Sequence, residues 1–227
     1  YSVIIMNTNE NSDEEYRAIL NACSKQVDGM MICPTQRSIE NITFLAKQKL
    51  PFILIGRYFK DHSFDYVCAD DEKGGYLAGQ YFIRHGSCNP VYLGACRYVE
   101  ASENRFRGLQ KAYSEHGIII PESNFFEVLP TSENLYEVFQ TIDQKKISYD
   151  SIMTFSDLFA FQLLSKIKDT PFVSFDAINA RLHIPLPIPS VGMVKNGWAE
   201  KAVSALLDKM NGTQMQTKEL IDVQLYV

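Results

Sequence analysis

The chain has 227 residues, 46% of them hydrophobic and 22% charged, with a formal net charge of -5. That length allows one large domain or two small ones with an ordinary globular core. The acidic balance excludes direct nucleic-acid binding by this segment, because a basic face is needed to displace phosphate counterions, and no apolar run approaches the ~18 residues of a membrane helix.

Apolar, β-rich runs recur at Ser2 to Met6, Gly29 to Cys33, Phe52 to Ile55, Tyr66 to Ala69, Pro90 to Gly94, Ser151 to Thr154 and Phe172 to Phe175. Helical spacing fills most of the gaps, at Glu14 to Gln26, Asn41 to Gln48, Glu72 to Arg84, Glu103 to Glu115 and Leu135 to Gln144. Helix starts are marked by Asn11, Ser12 and Asp13, by Asp70 and Asp71, and by Ser132. Alternation of this kind predicts an α/β fold with mostly parallel, doubly wound sheets. The strands are continuously apolar, as expected where helices cover both faces. After Ile178 come a proline-rich loop, an apolar piece at Val191 to Val194, an amphipathic helix over Gly197 to Met210 and a closing strand at Leu220 to Val227. A helix and a strand returning so late fit two lobes joined by several crossings.

Cys23, Cys33, Cys68, Cys88 and Cys96 form an odd set without a CxxC pair, and three of them end or interrupt apolar runs. This pattern predicts reduced, buried thiols in a cytoplasmic protein, and neither a disulfide framework nor a zinc site. His62, His85, His116 and His183 are scattered, with no catalytic or metal-ligand spacing, so the chain does not read as an enzyme. Gly74 and Gly75 belong to no phosphate-binding motif and are expected to allow close helix packing.

The segments YSVIIMNTNENSDEEY, VDGMMICP, LPFILIGR, VCADDEKGGYLAGQYFIRHG, ENRFRGLQKAY, SIMTFSDLFAFQLL and VSFDA occur in that order. In order and spacing the chain resembles the effector-binding domain of the LacI/GalR family of transcription regulators, whose fold is shared by periplasmic sugar-binding proteins. The resemblance implies two periplasmic-binding-protein-like lobes joined by three crossings, near Ala69, Met193 and Gln214. One lobe would hold residues 1–69 and 194–213, the other 70–193 and 214–227. It also implies that the first strand and helix of the amino-terminal lobe, and a helix-turn-helix DNA-binding module, are absent from this chain.

The effector is expected in the cleft between the lobes. Arg105 falls on the family's effector-contacting arginine, where a guanidinium fork can donate to two ligand oxygens; a surface salt bridge is the plainer alternative. Asp176, after the apolar strand FVSF, matches the family's ligand-binding acid and could orient Arg105. Asp157 either contacts ligand or caps the following helix, and the same two accounts apply to Asp70. Arg57 and Lys195 stand where relatives border the cleft, and Leu129 or Phe126 stands near an aromatic stacking position. The implied partners are a sugar, sugar phosphate or purine, a second copy of the chain, and operator DNA through the absent module; no cofactor is implied. A solute-binding protein of a sugar transport system is the alternative reading.

Overall fold

The computed structural model describes residues 1–129, 132–164, 170–178, 188–194, 197–212 and 216–227. The chain forms two compact units, Tyr1–Cys68 with Lys195–Ile221, and Ala69–Val194 with Asp222–Val227.

The opening leg builds α1 (Ser12–Ser24), β1 (Met30–Ile32), α2 (Glu40–Lys47), β2 (Phe52–Ile55) and β3 (Tyr66–Ala69). Asn11 starts α1 by accepting hydrogen bonds from the amides of Asp13 and Glu14 on its side-chain oxygen. Asp13, Glu14 and Glu15 follow in the first turn, where the helix dipole favours negative charge. The buried face, Ile19 with Ile42 and Leu45 of α2, packs on Phe52 and Leu54. Parallel pairing joins β1 to β2 and β2 to β3.

One expected strand is missing: Ser2 to Met6 is irregular, with Val3 82% and Ile5 91% exposed. Its β-branched composition suits a strand, but a strand also needs a neighbouring ladder to satisfy its amides, and none of the described strands offers it one.

The middle leg builds α3 (Asp71–Arg84), β4 (Pro90–Gly94), α4 (Glu100–Ser114), β5 (Phe125–Glu127), α5 (Ser132–Gln144), β6 (Ser151–Thr154), α6 (Asp157–Leu163), β7 (Phe172–Phe175) and β8 (Ser190–Met193). The sequence pattern missed β5, which at three residues is too short to show a period. Along β4, Tyr92 enters a core with Phe106, Leu109, Met153 and Phe175, while Leu93 enters another with Ile142, Ile152 and Leu163. Successive residues thus feed opposite faces, as a sheet covered on both sides requires.

Helices α3 and α4 touch through their glycines. A methyl group at Gly75 would stand 1.8 Å from the Arg105 carbonyl oxygen, and one at Gly108 would stand 1.9 Å from that of Glu72. The expected packing role of Gly75 follows from that contact.

The return leg is α7 (Trp198–Met210), β9 (Lys218–Ile221) and β10 (Val223–Tyr226). The sheet orders are β1-β2-β3-β9 in the first unit and β10-β8-β7-β6-β4-β5 in the second, where β10 runs antiparallel to β8. The last crossing therefore falls at Ile221–Asp222 and not near Gln214, so the residues just before it belong with the first unit. Leu220 to Val227 is not the single strand expected, and its one charged residue marks the break. Asp222 divides the run, with its carbonyl accepting from the Val194 amide and its side chain from the Val223 amide.

The thiols are less uniformly buried than expected: Cys68 is buried, Cys23 and Cys96 are half-buried, and Cys33 and Cys88 are exposed, all free. Among the described residues no helix is long and apolar enough to cross a membrane.

Candidate effector-binding site

In the second unit the polar candidates gather where parallel strands end, the edge at which open α/β sheets hold ligands. Arg105, in the second turn of α4, is buried, and its Nε donates to Asp71 Oδ1 at 2.7 Å while Nη1 donates to the Phe155 carbonyl. Its guanidinium lies 4.1 Å from the Phe175 ring centroid and 4.7 Å from that of Phe155. Cation–π contacts are strengthened by such burial.

Arg105 is thus neither a surface salt bridge nor an unengaged fork; it forms the floor of the strand-end region. Burial pushes the Asp71 carboxyl above its ordinary range, against the pull of the Arg105 guanidinium. Burial also works against the Arg105 charge, yet Asp71, Tyr92 and Asp176 outweigh it and hold the guanidinium firmly protonated.

The acid doublet at the start of α3 divides its work. Asp70 caps the helix, its side chain accepting from the Lys73 amide at 3.0 Å, so the capping account describes it. Asp71, the very next residue, turns inward to Arg105. Sequence reasoning took both acids as helix-start signals; the doublet, one acid more than a cap requires, was the available clue.

Asp176 follows β7, exposed, with φ 98°, and Ala177 follows it at φ 47°. Neither is glycine, and side chains rarely occupy this region of backbone space. The Asp176 amide donates to the Val191 carbonyl at 2.9 Å. Its charge is felt at both Asp71 and Arg105, but Asp71 is the acid that holds the guanidinium.

Asp157 is not the cap of the following helix. It is 2% exposed, and its carboxylate accepts from the Ser174 and Ser190 hydroxyls and from the Ile178 amide. The cap position of α6 belongs to Ser156. The bend after β6 turns Asp157 under the neighbouring strands, whose Ser174 and Ser190 are register partners.

Leu129 is exposed, and its amide donates to Asn134 Oδ1 at 2.7 Å ahead of α5, while Phe126 packs against the core around Leu93. Among the described residues Phe126 stacks on no other ring; the aromatic surfaces beside Arg105 are Phe155 and Phe175, which periodicity assigns simply to core. Lys195 lies outside the described residues.

Arg57 sits in the first unit, just past β2. Its guanidinium meets both oxygens of Glu10 at 2.8 Å, and Nη1 also donates to the Pro34 carbonyl at 3.2 Å. Nearby, buried Glu15 accepts from the Thr35 amide at 2.7 Å and from Asn41 Nδ2 at 2.8 Å. Among the described residues no group of His, Cys, Asp and Glu could hold a metal ion.

A fold of parallel strands with polar groups at their ends defines a class of small-molecule binding domain. The family model for periplasmic binding proteins and the sugar binding domain of the LacI family matches residues 1–166. The chain belongs to that family. It is similar to an arabinose metabolism transcriptional repressor of Halalkalibacterium halodurans, 27% identical over 177 residues, covering 74% of this chain and 47% of the repressor. The structure resembles that of the transcription regulator CcpA of Lactococcus lactis, with a TM-score of 0.86 at 20% identity over 100% of this chain and 86% of that one. It also resembles a transcriptional regulator CelR–cellobiose complex, with a TM-score of 0.81 at 20% identity, over 96% and 70% of the two chains. The chain spans 47% of the length of the arabinose repressor and 66% of that of other curated relatives.

Proposed function

We propose that the chain is the ligand-sensing part of a cytoplasmic transcription regulator, taking a sugar or sugar derivative as effector at the strand ends that carry Asp176. The observation that carries this reading is the backbone of Asp176 itself. An exposed acid held at φ 98° beside a buried, ring-stacked arginine is a feature retained at binding sites, because local strain persists only where the surroundings hold it. A carboxylate so placed accepts hydrogen bonds from ligand hydroxyls, and the Arg105–Asp71 pair fixes the floor beneath it. The arabinose repressor and the cellobiose-bound regulator support a saccharide.

Effector binding would shift the population between two conformations, and only differential affinity for the two can alter the DNA affinity of an attached module. We place the working protein as a homodimer. A solute-binding protein of a transport system is supported less well, since the similar curated proteins are regulators.

The test is a thermal-shift screen of the chain against neutral mono- and disaccharides, sugar phosphates and nucleobases, repeated with Asp176→Ala. A saccharide-dependent rise in melting temperature that disappears in the variant is expected. A response confined to nucleobases, or one that survives Asp176→Ala, rejects the assignment.

A further inference from the structure

We propose that Asp157, which touches no ligand in this reading, is the positioning residue that aims Asp176. The proposal rests on Asp176 being a ligand contact. Asp176 and Ala177 occupy consecutive left-handed conformations, φ 98° and 47°, without the freedom of glycine. Something must hold the turn, and the hydrogen bonds identify it. Asp157 Oδ2 accepts from the Ile178 amide at 2.7 Å, and Oδ1 accepts from the Ser190 hydroxyl at 2.7 Å and from that of Ser174. Ser190 Oγ, having donated to Asp157, accepts from the Ala177 amide at 2.9 Å. Both amides that follow Asp176 are therefore tied to one buried carboxylate, Ile178 directly and Ala177 through a serine.

The residue types fit this arrangement and few others do. Three donors converge on Asp157, and an ionised carboxylate is acceptor-only, whereas an asparagine would turn an NH2 group toward at least one of them. Gly192 shapes the opposite side of the turn, where an added methyl group would lie 2.4 Å from the Ala177 Cβ. The same β6–α6 corner also supplies the Phe155 carbonyl that receives Arg105 Nη1. Asp157 and Phe155, two residues apart, thus fix the acid and the arginine from one bend.

The test uses the whole chain with Asp157→Asn and, as the milder variant should that one fail to fold, Ser190→Ala. Amide hydrogen exchange read by NMR is expected to accelerate by about 10-fold or more at Ala177 and Ile178 in Asp157→Asn while Tyr92 and Leu93 in β4 keep their protection. In Ser190→Ala the change is expected at Ala177. Unchanged exchange at these amides, or acceleration spread evenly over the second unit, overturns the proposal. Calorimetry with L-arabinose and cellobiose supplies the second arm. Asp157→Asn should weaken binding of the saccharide that wild type takes by roughly 10-fold or more, with little further loss on adding Asp176→Asn, since groups acting through one another are non-additive. Fully additive losses overturn the positioning role. Localised exchange changes together with no saccharide binding by wild type would reject the effector reading and leave the buttress standing.

Discussion

Two arginines, Arg105 within α4 and Arg57 just past β2, follow opposite designs. Arg105 of the second unit is buried, paired to a buried acid and stacked on two phenylalanine rings. Arg57 of the first unit is paired to Glu10, whose side chain is 51% exposed. Both pairs have short contacts, so distance does not separate them; desolvation does. A buried ion pair cannot lose one partner without stranding the other, whereas an exposed carboxylate returns to water at little cost. The Arg105–Asp71 pair is therefore part of the framework of the second unit, whereas Arg57 pairs with a carboxylate that stands in water.

The comparison breaks or holds on three substitutions. Arg105→Ala should have the largest effect, about 3–5 kcal/mol of unfolding free energy measured in denaturant, because Asp71 is left buried without its partner. Arg105→Ala would then lose ligand response through instability, so its stability must be measured beside its binding. Gly75→Ala should cost about 1–3 kcal/mol or more, since the new methyl group meets the Arg105 backbone and must force α3 and α4 apart. Arg57→Ala should change stability by less than about 1 kcal/mol. A loss at Arg57 as large as that at Arg105 would erase the distinction between the two pairs.

Most of the fold was legible in the sequence. β2, β3, β4, β6 and β7 begin and end where their apolar runs do, because strands covered on both faces leave no polar interruption to blur them. What was not legible depended on neighbours: Ser2 to Met6 has the composition of a strand but pairs with none of the described strands, and the closing run changes sheets at Asp222. At the site, the resemblance pointed to Arg105, Asp157 and Asp176 but not to the buried partners of Arg105 and Asp157. Spacing shows that Asp157 follows a strand. It does not show that Ser174 and Ser190, contributed by two other strands, will stand above its carboxylate. Asp71 was hidden differently, behind a capping signal that Asp70 alone satisfies.

In the proposed function Asp176 is the ligand contact of the second unit. Isothermal titration of wild type and Asp176→Asn with the saccharide that gives the largest thermal shift tests it most directly. The account predicts a loss of roughly 10- to 150-fold in affinity, the worth of about 1.5–3 kcal/mol for hydrogen bonds to a charged group, with an unchanged denaturation midpoint. Equal affinity in the two proteins would contradict it.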